Sequence, residues 1–160
     1  LAGTGHLAIA TLHSNNAQET LDRIVNLFPE DPLAQVFMAL SQYLRVIISQ
    51  RLVPKKSGGR IAVLEILRST LRTRDYIEKG DTQGRSLLDA MHDGSMDGMQ
   101  TFDGEIERLV RGGVITGSVG LLYATNPANL RVIMADVALD DAPAPPPVEV
   151  DGLEQGLISQ

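Results

Sequence analysis

Apolar residues recur along this chain in blocks whose period changes. "LAIATL" (Leu7 to Leu12) is a run of apolar or small residues with no charged position on either parity. Such a run predicts a strand covered on both faces, as in a parallel sheet packed between helices. Ser14, Asn15 and Asn16 follow, and Asn16 with Glu19 three residues on forms a capping-box variant that predicts a helix from about Ala17. Its core face would be Ala17, Leu21, Ile24, Val25 and Phe28, with Pro29 closing it and Pro32 opening the next helix. That second helix would bury Leu33, Val36, Phe37, Leu40, Leu44 and Ile47.

The period then shortens to two. "ISQRLVP" (Ile48 to Pro54) and "RIAVLEIL" (Arg60 to Leu67) flank "KKSGG", whose paired glycines permit positive φ, so a β-hairpin is predicted. Helical spacing returns around Thr70 to Lys79, Arg85 to His92 and Phe102 to Arg111, the last with Phe102, Ile106, Leu109 and Val110 inward and Gly112–Gly113 as its stop. "TNPANLRVIM" predicts one more helix, with Asn126 as cap and Pro127 at the first helical position. After Ala138, "DDAPAPPPVEVDG" reads as an extended or disordered tail.

Charge sharpens this division. Up to Ala135 the 14 basic residues balance 14 acidic ones, and the six remaining acids (Asp136, Asp140, Asp141, Glu149, Asp151, Glu154) have no base among them. Within the body, Arg45 to Arg85 carries ten bases against Glu65, Asp75, Glu78 and Asp81. That excess is a solvated face or a surface for phosphate or an acidic neighbour. With three Tyr, three Phe and a pI near 5.0, nucleic acid is not the expected partner. No apolar run approaches the ~20 residues of a membrane span, so membrane insertion is not expected. The absence of cysteine excludes a disulfide framework and a thiolate zinc site, and no histidine or carboxylate spacing marks another metal site. The chain opens at Leu1, within an apparent element, and so reads as a piece of something longer.

The predicted strand is bracketed by histidines. His6 and His13 would lie roughly 23 Å apart along it and could not share one metal ion. Ligands of open α/β sheets sit beyond the carboxyl ends of strands, which makes His13, followed by Ser14 and Asn15, the candidate for touching a polar ligand. His92 reads as surface. A G-x-x-x-x-G-K-[ST] phosphate loop is absent: Lys55, Lys56 and Lys79 do not follow a glycine, and "SGGR" fits a hairpin turn better.

"TGHLAIATLHSNNAQETLDRIVNLFP" resembles the histidine box, and the segment after it, of the type II and type IV secretion and pilus ATPases, nearest to the PilT/PilU retraction motors. "ISQRLVPKKSGGRIAVLEIL" continues the likeness at the expected spacing, and "GMQTFD" is similar to the stretch that opens a late helix in that family. The likeness covers roughly Thr4 to Arg111. It implies an α/β fold: the C-terminal part of a RecA-like P-loop ATPase domain through residue 68, a small helical bundle over 69–134, and the acidic Pro-rich tail over 135–160. It implies that the phosphate loop precedes this chain in the parent protein, so that ATP and Mg2+ are held mainly elsewhere and this piece alone is inactive. His6 and His13 become the candidate catalytic histidines, His13 sensing the γ-phosphate, with Thr11, Ser14, Gln50 and Arg51 next to the nucleotide. Arg74 falls near an arginine of the motors' "AIRNLIRE" motif, where this chain reads "RTRDYIEK", and is the candidate for subunit-interface or force-transmission work. Also implied are a homo-hexamer, a pilus inner-membrane platform protein as partner, a cytoplasmic location against the inner membrane, and pilus retraction as the output. The alternative is a non-catalytic module docking onto a pilus or secretion motor.

Overall fold

The computed structural model describes residues 2–28, 32–80 and 86–137. Pro29, Arg85 and the Pro-rich stretch from 138 onward lie outside them. A 3-10 turn at Ala2–Thr4 leads into an extended segment, then α1 (Ala17–Val25), α2 (Leu33–Tyr43), strands β1 (Val46–Pro54) and β2 (Arg60–Arg68), and helices α3 (Leu71–Lys79) and α4 (Leu87–Asp93). A 3-10 turn at Ser95–Asp97 precedes α5 (Phe102–Arg111), α6 (Gly117–Tyr123) and α7 (Pro127–Ile133).

The hairpin is antiparallel, with Val46 opposite Arg68 and Pro54 opposite Arg60. Its turn uses both glycines at positive φ, 85° at Gly58 and 70° at Gly59, where a β-carbon would be strained. Along β2's other edge, Ile66 exchanges both backbone hydrogen bonds with Gln100 (2.8 and 3.0 Å), and the Gln100 side-chain amide donates to Leu64 O at 2.6 Å. This clamp delivers the chain into α5 beside the middle of β2.

One face of the hairpin organises the interior. Val53 and Val63 join Phe102, Ile106, Leu109, Val110, Ile115 and Leu130 in one buried cluster with α5–α7. Ile47 and Leu67, at the other end of the same face, join Ala17, Leu21, Ile77, Leu87 and Met91 in a second. Between the two ends the face is polar: Ser49 opposite Glu65, and Arg51 opposite Val63. Both clusters thus draw side chains from before and after residue 68.

The Leu7–Leu12 strand is not formed. Residues 6–14 are extended but unpaired, and Leu7 and Ile9 are each 85% exposed. Apolar alternation makes a segment fit for a sheet, but a strand exists only where a neighbour completes its ladder. Among the described residues, β1 and β2 pair with each other and leave this segment without one. It borders an apolar groove of about 1050 Å³ whose other walls include Val36, Leu40 and Tyr43 of α2 and Ile48 of β1.

α6 has no counterpart in the expected elements. "GSVGLLY" carries two glycines, which disfavour helix, yet Thr116 caps it by accepting from Val119 N (3.1 Å). A β-carbon on Gly120 would come within 2.9 Å of Val110 Cγ2, so the glycine lets α6 approach α5 closely.

Candidate functional site

His13 is exposed and stands immediately before a turn fixed by its own side chains. Asn16 Oδ1 accepts from Glu19 N at 2.8 Å, and Glu19 Oε2 reaches back to accept from Asn15 N at 2.8 Å. The glutamate thus closes the box one residue earlier than the usual capping box does. Backbone donation from Asn15, reinforced by Arg23, holds the Glu19 carboxyl below its ordinary range. Ser14 Oγ lies 2.7 Å from Thr20 Oγ1, which in turn donates to Asn16 O at 2.9 Å.

Behind this turn sits a polar group, with Glu65 buried and Arg51 and Asp103 half-buried, that the chain brings from three distant places. Glu65 Oε1, on the inward face of β2, accepts from Ala17 N at 2.7 Å. Arg51 donates to Tyr123 O at 2.7 Å, reaches Asn15 O at 3.5 Å, and places its guanidinium 3.8 Å from the centre of the Phe102 ring. Asp103 accepts from Thr125 N (2.6 Å) and Asn126 N (2.8 Å), tying the start of α5 to the start of α7. Burial pushes the Glu65 carboxyl up, against the opposing pull of Ala17 N–H, Arg51 and Phe102 N–H. Burial likewise lowers Arg51, against the attraction of Glu65 and Asp103. Ser49 Oγ, across the ladder from Glu65, is buried with no hydrogen-bond partner.

The expected site residues divide accordingly. His13 and Ser14 lead into the turn before α1, and Arg51 reaches that turn through Asn15 O. Gln50 neighbours Arg51 in sequence but projects from the opposite, exposed face of β1, as strand alternation requires. Thr11 is exposed on the extended segment. His6 lies at that segment's far end, its Nδ1 2.9 Å from Thr4 Oγ1, and lines the apolar groove. Arg74 belongs to α3, which packs on α2 and α4, and donates Nε–H to Ser69 Oγ at 2.8 Å. Glu65 and Asp103 were not among the expected site residues. Parity could have found the first: in "AVLEIL", Glu65 shares the inward face with Val63 and Leu67.

Among the described residues no three histidine or acidic side chains group to hold a metal. The turn offers one exposed imidazole beside a serine hydroxyl.

The family profile described as "Type II/IV secretion system protein" matches residues 2–59. The type IV pilus ATPase PilU of Pseudomonas aeruginosa is 40% identical over 157 residues, 98% of this chain and 39% of the relative. The type IV pilus retraction ATPase PilT of the same organism is 39% identical over 115 residues, 72% of this chain and 33% of the relative. This chain belongs to the PilT/PilU-type secretion ATPases. Among solved structures of the family, that of the pilus retraction motor PilT with bound ADP is 35% identical, with a TM-score of 0.65, covering 79% of this chain and 35% of that one. The ATPase DotB of Yersinia pseudotuberculosis is 29% identical with a TM-score of 0.62, covering 76% and 31%. The α/β class expected from the sequence is thus that of RecA-like PilT/DotB-type ATPases, over about two fifths or less of the relatives' length. No helix among the described residues is long and apolar enough to cross a membrane.

Proposed function

We propose that this chain is the carboxy-terminal portion of an ATP-hydrolysing motor that drives type IV pilus retraction, and that His13 senses the nucleotide's γ-phosphate. The observation that carries this reading is the placement of an exposed imidazole directly before a turn locked by Asn16, Glu19, Ser14 and Thr20. A ring so placed can exchange hydrogen-bond partners when a phosphate departs, while the turn behind it keeps its shape. ATP and Mg2+ are held by a phosphate loop and acidic residues elsewhere in the parent protein, which assembles as a homo-hexamer in the cytoplasm against an inner-membrane platform protein. Residues 1–68 complete its RecA-like core and 69–134 form the helical subdomain. Thr11, Ser14 and Arg51 border the nucleotide, with His6 and Gln50 further from it, and Arg74 works at a subunit interface.

The test is ATP turnover by the complete gene product. His13→Ala should lower it at least tenfold, the scale of a lost general acid–base or positioning group, with an unchanged melting temperature. Unchanged turnover would overturn the sensing role. Calorimetric titration of the 160-residue chain with ATP should give no binding heat, because its nucleotide cradle lies elsewhere.

A second reading, a non-catalytic module docking onto a pilus or secretion motor, is favoured by the exposed Leu7 and Ile9 beside the apolar groove. It predicts a parent gene without a glycine-lysine phosphate loop.

A further inference from the structure

A carboxylate in the middle of an apolar strand face is costly unless its oxygens are used. Glu65 is 2% exposed, and its neighbours on that face of β2 are Val63 and Leu67. An aliphatic residue would fill the position more simply. Its Oε1 goes to the amide that opens α1, and the amide that opens α5 eases the cost of its charge. Ala17 is the first residue of α1, 48 positions away, and donates at 2.7 Å; Phe102 is the first residue of α5, and its N–H also acts on the carboxyl. Both helices already have their own caps, Asn16 accepting from Glu19 N and Thr101 accepting from Gly104 N. Those caps serve the third residue of each helix and leave the first amide unserved. A carboxylate lying between two helix starts also meets the positive end of both dipoles. Arg51 completes the connection, reaching Asn15 O on one side and Tyr123 O and the Phe102 ring on the other.

We propose that Glu65 is a positioning residue for the His13 turn, fixing the first amide of α1 and, with Arg51, joining that turn to the start of α5 and the end of α6. A displacement of His13 is then passed to the α5–α7 cluster through one carboxylate and one guanidinium. The proposal rests on the phosphate-sensing reading of His13.

The test uses the complete gene product with Glu65→Ala, Glu65→Gln, Ala17→Pro and His13→Ala. Ala17→Pro removes the donated amide where the backbone accepts it: proline is favoured at a first helical position, and Asn16 already has the extended backbone that a residue before proline adopts, though the ring adds two carbons at a buried site, so its melting temperature is measured beside kcat. Glu65→Ala and Ala17→Pro should each lower kcat roughly ten- to hundredfold, as a reacting group displaced by about 1 Å would, with KM for ATP unchanged. Glu65→Gln, which keeps one acceptor oxygen, should recover part of the loss. Adding His13→Ala to either should lower kcat no further, because Glu65 acts through His13. Should His13→Ala reduce kcat while Glu65→Ala and Ala17→Pro, both folded, do not, or should the losses multiply, the positioning role falls and the sensing role stands. If Glu65→Ala does not fold, Ala17→Pro alone decides in the same way. Should His13→Ala leave kcat unchanged, both fall together.

Discussion

Leu7–Leu12 and, Glu65 apart, Ile61–Leu67 are both apolar runs, yet they end in opposite surroundings. In β2, Val63 and Leu67 are fully buried beneath helices, β1 supplies one ladder of backbone hydrogen bonds, and Gln100 holds Ile66 on the other edge. In the earlier segment, Leu7 and Ile9 stand almost wholly in solvent. The side chains say what each stretch can tolerate, and the presence of a neighbouring edge decides whether it becomes a strand.

The largest break in that contrast should come from Val63→Asp. An unpaired carboxylate placed in the α5–α7 cluster costs about 3–5 kcal/mol, and differential scanning calorimetry should find the cooperative transition lost or sharply lowered. Gly120→Ala tests the same cluster from its other wall. With Val110 and Ile106 side-chain carbons 2.9 and 3.1 Å from the new methyl, overpacking should cost about 1–3 kcal/mol, seen as a lower urea midpoint.

A smaller effect follows from acid. Burial raises the Glu65 carboxyl above its unfolded value, so the folded state binds this proton more tightly. The contribution of Glu65 is then fully present below the ordinary glutamate range and declines as pH rises through the folded value. Urea midpoints measured upward from about pH 4.5 should fall less steeply in Glu65→Gln than in the native chain. Glu19, Asp89 and Asp136 are lowered instead and act oppositely, losing their contribution as pH falls, which leaves the Glu65 slope separable by difference. Least of all should come from Ile9→Asp, a change within about 0.5 kcal/mol in this chain. A large loss there would mean that the extended segment packs in solution, and would erase the contrast with β2.

Much of the architecture is legible in residue order because local signals agree with the final packing. Asn16 and Glu19 mark the start of α1, "KKSGG" marks the hairpin turn, and Thr101 with Gly112 bounds α5. α6 is not legible, because its glycines argue against a helix and its reason for existing is the close approach to Val110, a tertiary fact. At the site, His13 and Arg51 could be named from a family likeness. Parity marks Glu65 as an inward carboxylate, but nothing local says that the amide it serves is Ala17, 48 residues away. Leu7–Leu12 errs the other way: its pattern describes a sheet whose other strands these residues do not supply.

The polar band across the hairpin, Ser49 with Glu65 and then Arg51, keeps two oily regions from merging into one. The ribbon therefore behaves as a plank loaded at both ends and notched in the middle. Truncating Leu67 and truncating Leu109 should injure the protein independently, each loss simply adding to the other, whereas anything that alters the notch is felt at both ends at once.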